Sequence, residues 1–336
     1  VEQQLEVFGR TISPSDEEEV LARTREFLNW RFASAHEIIE SASWLRIDRI
    51  GMRMLNASAL SGAECVYLRL LITGAGEKNV KFVMIDEVQD YTETQLMVLG
   101  KYFSRAHFLL LGDSNQAIWE DTATFEQIEK IFSATHGEDA VSICKLLTSY
   151  RSSPEITALF TSLLSEEERG QTSSVQRGGK KPEFFEVVAD NKDTERAEYL
   201  QTMKSLIEQA QEFDGLTAIV CTEKSRVRWL AKQLEGLFAE GGNDAADGAT
   251  DGVAGNGAAQ AKLCTSVKVL TSHDSLPAKG VVLLDLALAK GLEFDQVIVA
   301  DAQEEVYKAD GISRRRLYTA LSRAMHHVMV VSQGKM

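Results

Sequence analysis

The sequence is poor in cysteine and has no long apolar run. Its cysteines include no CxxC pair and no histidine at metal-ligand spacing, which argues against a zinc site or a disulfide framework, so we expect reduced core thiols. The longest apolar stretches, such as Val281–Leu284, are far shorter than the ~20 residues that span a bilayer, and no signal peptide opens the chain. We therefore expect a cytoplasmic protein. The four cysteines are Cys65, Cys144, Cys221 and Cys264.

Positive charge is also scarce. Lysine and arginine number 36 against 50 aspartates and glutamates, which gives a net charge of −14. A surface of that sign does not hold nucleic acid by bulk electrostatics, because the phosphate backbone is itself negative. Any contact with nucleic acid must therefore be a local groove.

A chain of 336 residues is long enough for two domains. Residues 1–78 read as mainly helical, since Ser15 precedes Glu18 at capping-box spacing and apolar residues then recur with a helical period. From residue 79 to 148, the apolar segments "KFVMI" and "HFLLLGD" flank a helix over Thr94–Tyr102. Two buried strands joined by a helix of this length predict a parallel βαβ unit.

Residues 149–336 repeat this alternation with "EFFEVV", "TAIVCT", "VKVLTS", "GVVLLDL", "QVIVADA" and "HVMVVS". These segments predict a second parallel sheet with helices between its strands. The segment 241–260 is rich in glycine and alanine and is expected to be a disordered loop. The predicted fold class is therefore α/β, with two parallel-sheet domains and a helical segment before them.

Two adjacent carboxylates, Asp86 and Glu87, follow the first apolar segment. Ligands of open parallel sheets bind at the carboxyl ends of the strands. Asp86 suits a Mg²⁺ ion held partly by substrate phosphates, and Glu87 suits a base that activates water. Alternatively, the charges belong to a helix start, with Asp90 or Thr92 as the cap and Glu93 in the first turn. On these residues alone both interpretations stay open.

Further blocks follow in order along the chain: "DEVQDYTETQ", "GDSNQAI", "LLTSYRSSPEI", "LAKGLEFDQVIV" and "LYTALSRAMHHV". In sequence and spacing they resemble motifs II to VI of superfamily 1 helicases of the UvrD/Rep type. The details look most similar to the HelD, or helicase IV-like, branch, whose members are ATPases that act on RNA polymerase. The resemblance runs from Lys81 to Ser332, apart from the Gly/Ala-rich loop, and implies two RecA-like domains with ATP and Mg²⁺ bound between them.

The resemblance implies catalytic roles for five positions. Asp86 would bind Mg²⁺ and Glu87 would be the base that activates water. Gln116 would sense the γ-phosphate and couple the two domains. Arg151 would contact the γ-phosphate, and Arg323 would be a second arginine finger, since phosphoryl transfer needs charge neutralisation. Taken singly, an arginine on a helix flank is usually solvated.

Nucleotide contacts are implied for Tyr150, which would stack on adenine, and for Gly291 and Glu293, the latter through the ribose. Their ordinary alternatives are a core tyrosine and a surface charge. We expect Arg323 on the flank of a helix through "RRRLYTALSRAM", and we interpret Arg314–Arg316 as a solvated charge run.

One part of the family pattern is absent, the phosphate-binding loop GxxxxGK[ST]. Neither "GAGEKN" nor "RGGKKP" has the spacing or the terminal Ser/Thr. In the family this loop lies well upstream of the Asp-Glu pair. We therefore expect it in an upstream part of the same polypeptide, before Val1, and we expect this chain by itself to hydrolyse ATP poorly or not at all.

A second departure follows Gln116, where related helicases place an aromatic and a basic residue that stack on single-stranded bases. Here Trp119, which we expect to be buried, is followed by Glu120 and Asp121, which repel phosphate. This favours an ATPase that remodels RNA polymerase complexes over a processive helicase. The alternatives are a DNA helicase or translocase, and a non-catalytic module that docks a partner.

Overall fold

The computed structural model describes residues 17–40, 44–146, 148–149, 151–169, 173–176, 178–240 and 267–336. These residues form two compact units. The helical unit comprises the described residues up to Met84, with Thr92–Leu109 and Glu126–Val141, and the sheet unit comprises Ile85–Tyr91, Leu110–Phe125 and the described residues from Ser142 to Met336. The domain boundaries predicted at residues 78 and 148 stay a prediction.

The helical unit is built from short helices with local caps. Ser61 Oγ accepts from Glu64 N at 3.2 Å and Glu64 Oε2 accepts from Ser61 N at 2.6 Å, so the two residues satisfy amides of the first turn of α4. Thr92 and Gln95 form the same box before α5. The predicted Ser15–Glu18 cap involves a residue outside the described range. The helices are α1 Glu17–Arg31, α2 Ala35–Glu40, α3 Ile47–Leu55, α4 Gly62–Thr73, α5 Glu93–Tyr102 and α6 Phe125–His136.

Strands β1 (Phe82–Ile85) and β2 (His107–Leu110) form a two-stranded sheet joined through α5. His107 N donates to Lys81 O, and Leu111 N donates to Ile85 O, both at 2.8 Å, so the strands run parallel as predicted. The prediction that both strands are buried is wrong. Met84 is 71% exposed while its neighbour Ile85 is 5% exposed, because successive side chains point to opposite faces.

The sheet unit contains a six-stranded sheet in the order β5-β10-β9-β6-β8-β7. Every pair in it is parallel, so the predicted α/β class is confirmed. Strands β3 and β4 form a separate short parallel pair. The strands are β3 Thr148–Ser149, β4 Ser173–Ser174, β5 Glu183–Val187, β6 Leu216–Cys221, β7 Val267–Val269, β8 Gly280–Asp285, β9 Phe294–Val299 and β10 Ala324–Gln333.

Helices cover both faces of the six-stranded sheet. Alternate residues of β6 join different cores: Val220 packs with α7, α11 and α12, while Ile219 packs with α9 and α10. Burial on both faces explains why the central strands are continuous apolar runs. The helices are α7 Pro154–Thr161, α8 Glu166–Arg169, α9 Lys192–Gln211, α10 Lys224–Glu240, α11 Leu286–Ala289 and α12 Gly311–Leu321, with 3-10 turns at Val88–Asp90, Ser114–Gln116 and Glu138–Ala140.

Two further predictions from the sequence need correction, one about a cysteine and one about the end of a helix. Of the cysteines, Cys221 is buried, but Cys144 is exposed and is therefore not a core thiol. The helix predicted through Met325 ends at Leu321, because the chain turns there into β10. Cys264 and the predicted loop 241–260 lie outside the described residues. Among the described helices, none has the length and apolar character needed to span a membrane.

Candidate active site at the end of the first strand

The backbone bends sharply where β1 ends. Glu87 has φ +51°, in the left-handed region that costs an ordinary side chain about 1–2 kcal/mol. Asp86 is exposed, and its Oδ1 accepts from Glu87 N at 2.9 Å. The turn therefore presents two carboxylates in succession, and a strained backbone of this kind is a recognised mark of functional sites.

The buried side chain of Gln89 stabilises this turn through two hydrogen bonds. Its side chain is 1% exposed; Nε2 donates to Glu87 Oε2 at 2.5 Å, and Oε1 accepts from Asp113 N at 3.1 Å. The amide thus joins the residues that follow β1 to those that follow β2. Gly112 allows the approach, since a Cβ there would collide with Gln89 Oε1 and lie 3.0 Å from Val88 Cγ1.

Lys290 links the end of β1 to a segment 200 residues away in sequence. Its side chain is 6% exposed, and Nζ donates to Asp90 Oδ1 at 2.5 Å and to Gln116 O at 2.7 Å. The same ammonium lies 3.6 Å from Glu87 Oε2. One buried cation therefore neutralises two carboxylates of the first block.

Arg323 lies in the turn between α12 and β10, rather than on a helix flank as predicted. It is 1% exposed, and its NH2 group donates to Gln116 Oε1 at 2.7 Å while Nε donates to Thr319 O at 3.2 Å. Burial and the nearby Arg151 lower the pKa of Arg323 to about 10, although Glu87 and other carboxylates act against this. The guanidinium remains charged at neutral pH.

Gln116 contacts three charged residues through its side chain and its backbone carbonyl. Its Nε2 donates to Asp113 Oδ2 at 2.9 Å, its Oε1 accepts from Arg323, and its backbone carbonyl accepts from Lys290. The next two carbonyls, of Ala117 and Ile118, accept from Arg315 Nε and Arg316 Nε. The interpretation of Arg314–Arg316 as a solvated run is therefore wrong for two of its members, because half-buried arginines satisfy backbone carbonyls there.

Of the remaining predicted residues, Arg151 and Glu293 pair with one another. Arg151 Nε lies 2.5 Å from Glu293 Oε1, and both side chains are close to two-fifths exposed. Gly291 has φ +79°, which favours glycine. Tyr150 lies outside the described residues.

The structure thus connects Glu87, Gln116 and Arg323 through a few contacts and places Arg151 and Glu293 within electrostatic range of Arg323. We call the hydrogen-bonded set Glu87, Gln89, Asp90, Asp113, Gln116, Lys290 and Arg323 the motif network. The roles assigned to the predicted residues stay proposals.

Sequence reasoning missed Lys290, which contacts three members of the motif network, as many as Gln116 does. Its signal was a single lysine directly after the apolar "LALA". Sequence reasoning was also wrong about Trp119, which is 46% exposed rather than buried. An exposed indole beside the network leaves a flat surface on which a base can stack.

No group of three or more histidine, cysteine, aspartate or glutamate side chains in the described residues could hold a metal ion. A Mg²⁺ ion is typically held by one or two carboxylates together with substrate phosphates. The exposed Asp86 carboxylate suits that role, and it stands beside the network rather than within it.

The comparisons with known proteins agree with the location of this network. The family model described as the UvrD/REP helicase N-terminal domain matches residues 53–136, and that of the UvrD-like helicase C-terminal domain matches residues 280–331. Together these segments hold every member of the motif network. Neither match supports the narrower HelD branch.

A search of curated proteins finds no significant match. Among solved structures, the C-terminal domain of a possible DNA helicase from Lactobacillus plantarum WCFS1 matches with 26% identity and a TM-score of 0.38. The match covers 56% of this chain and 89% of that one, and at that score it carries no weight for the fold. The two family-model matches show that the segments that carry the motif network are similar to the N-terminal and C-terminal domains of UvrD/REP-type helicases.

Proposed function

We propose that this chain is part of an ATP-driven motor of the UvrD/Rep type and carries the groups that act on the γ-phosphate. The observation that carries the proposal is the motif network. Its contacts join residues that lie up to 236 positions apart in the sequence, namely Glu87, Gln116, Lys290 and Arg323. Such convergence of carboxylates and guanidinium is the arrangement that phosphoryl transfer needs.

Each residue of the network has a chemical task in this proposal. Glu87 would accept a proton from the attacking water, and Gln89 holds its carboxylate by a hydrogen bond. Arg323 would stabilise charge on the γ-phosphate, and Gln116 orients it. Arg151, now paired with Glu293, would exchange that carboxylate for a phosphate. Asp86 would hold the Mg²⁺, which neutralises phosphate charge when bound.

The 336 residues contain no GxxxxGK[ST] loop, so the loop that binds the β- and γ-phosphates would come from outside them. We therefore expect no steady-state ATP hydrolysis by the 336-residue chain above that of its Glu87→Gln variant. In the polypeptide that includes such a loop, we expect hydrolysis that Glu87→Gln lowers by about 10²-fold or more and Arg323→Ala by about 10³-fold or more.

The decisive measurement is steady-state release of phosphate from ATP by the purified proteins. Lys279→Met serves as the control, because Lys279 is an exposed residue of the same unit whose ionic partner among the described residues is the exposed Asp214. Hydrolysis that is as fast in Glu87→Gln as in the parent would refute the catalytic assignment. Turnover by the 336-residue chain that Glu87→Gln abolishes would refute the missing-loop proposal alone.

The residues that follow Gln116 suggest two candidate substrates for the motor. Trp119 is exposed and available for base stacking, which supports a nucleic-acid track of the UvrD/Rep kind. A second candidate, remodelling of RNA polymerase, is favoured by Glu120 and Asp121, whose charges repel a phosphate backbone.

The two candidates differ in what accelerates ATP hydrolysis. Stimulation by single-stranded DNA that Trp119→Ala removes supports the nucleic-acid track, whereas stimulation by RNA polymerase alone supports the second candidate. If neither stimulates and the loop-containing polypeptide is inactive, a non-catalytic docking module is the better explanation.

A further inference from the structure

A separate cavity opens at the carboxyl edge of the six-stranded sheet, with a volume of about 660 Å³. It lies where β6 and β9 end side by side. From β6 the chain passes into α10 on one face of the sheet, and from β9 it passes into α12 on the other face. Such a divergence is where open parallel sheets form their ligand crevices.

Asp301 lines this cavity and is 1% exposed. Its Oδ2 accepts from Thr222 N at 2.8 Å. Its Oδ1 has no hydrogen-bond partner in the described part of the chain, and neither has Thr222 Oγ1, although both atoms are buried and the Thr222 side chain lies close enough to lower the pKa of Asp301. A buried acceptor without a donor costs about 1–3 kcal/mol, and a donor group that reached this atom from the cavity would remove that cost.

The cations of the lining are largely occupied by the protein. Arg226 stacks 3.9 Å from the centre of the Trp229 ring and donates from NH2 to Gln333 Oε1 at 3.1 Å, while its buried Nε has no hydrogen-bond partner among the described residues. Arg316 donates to the Ile118 carbonyl. The remaining basic residue of the lining is Lys308, which is exposed.

Carboxylates outnumber cations in the lining. Besides Asp301, it contains Glu120, Glu223, Glu305 and Asp310, which makes five acidic residues against three basic ones. A phosphate would be repelled by this set. The described residues hold no group of side chains suited to a metal ion.

We propose that this cavity binds an organic cation, an ammonium or guanidinium group that donates hydrogen bonds to Asp301 Oδ1 and Thr222 Oγ1 while the carboxylates of the rim neutralise its charge. The group belongs either to a free polyamine or to a lysine or arginine side chain of a partner protein. Both sources offer the same chemistry.

Calorimetric titration of the 336-residue chain with spermidine, and separately with argininamide, tests this proposal at constant ionic strength near neutral pH. We expect saturable binding of at least one probe. Asp301→Asn should weaken it by about tenfold or more, because truncating a buried charge partner is costly. Glu305→Gln, on the exposed rim, should weaken it by about twofold to fivefold.

The matched control is Glu208→Gln, which removes one negative charge from the exposed surface of α9, outside the cavity. A nonspecific attraction of cations to the net charge of −14 would fall equally in Glu208→Gln and Glu305→Gln, and that result would overturn the proposal. So would the absence of saturable binding. Tighter binding of spermidine identifies a free polyamine as the source, and tighter binding of argininamide identifies a side chain.

Binding should also weaken at acid pH. Burial raises the pKa of Asp301 to about 6, while Thr222 and Arg226 act to lower it and Glu223 acts to raise it. Cys221 and Tyr307 also face this carboxyl. A cation binds the ionised form, so its affinity should fall as Asp301 gains a proton, and an affinity that is unchanged below this pKa would contradict the proposal. The rim variant Glu305→Gln keeps the test valid if Asp301→Asn fails to fold.

Discussion

Replacement of Lys290 by methionine tests the centre of the motif network. Methionine keeps most of the apolar stem but removes the ammonium that contacts Asp90, the Gln116 carbonyl and Glu87. We expect a less stable sheet unit, because the two carboxylates lose their shared cation. The residues that accept hydrogen bonds from the Lys290 ammonium lie 174 and 200 positions away in sequence. The substitution should therefore weaken tertiary structure rather than a local helix.

The size of the effect follows from the exposure of the partners. Breaking a fully buried ion pair costs about 3–5 kcal/mol. Here the Asp90 side chain is 27% exposed and that of Glu87 is 39% exposed, so water can partly solvate the carboxylates that remain. One charge-assisted hydrogen bond and one bond to a carbonyl are lost, which gives an expected loss of about 2–3 kcal/mol.

Urea unfolding followed by circular dichroism measures this loss, and hydrogen exchange of the β6 and β9 amides assigns it to the sheet unit. Lys279→Met is the matched control. The side chains of Lys279 and Asp214 are 65% and 86% exposed, so this variant should lose about 0.5 kcal/mol or less. A double-mutant cycle with Asp90→Asn should give a coupling of about 1–2 kcal/mol. If Lys290→Met loses no more than the control, the assignment of a stabilising role to Lys290 is wrong.

Three further predictions concern single positions. Glu87→Gly should be more stable to urea than Glu87→Ala by about 1 kcal/mol, since only glycine accepts the positive φ without strain, and equal stability would contradict this. Burial raises the pKa of Asp301 to about 6 in the folded state, compared with about 4 in the unfolded state. The parent should therefore lose up to about 3 kcal/mol of stability as pH rises through this interval. Urea unfolding across that range should show no such dependence for Asp301→Asn, since that variant lacks the titrating group. Gly112→Ala should lower the melting temperature through a loss of about 1–3 kcal/mol, because its Cβ would displace the buried Gln89 amide, and an unchanged melting temperature would show that the amide can move aside.

Much of the fold was predictable because its signals are local. The continuous apolar runs of the central strands each depend on residues a few positions apart. The same holds for the ordered motif blocks, which pointed to Asp86 and Glu87. The buried β1 was predicted wrongly, since a run of apolar letters does not reveal which face of a strand is covered.

Sequence by itself determined the α/β class, the approximate helix and strand positions, and the residue types expected around a phosphate. Tertiary structure alone decided that Lys290 neutralises Asp90, that Arg323 lies in a turn and donates to Gln116, and that Asp301 keeps a buried oxygen without a donor. The physical reason is distance along the chain. Periodicity and caps act within a few residues, whereas these contacts depend on strand order and on turns that bring together residues 200 or so positions apart.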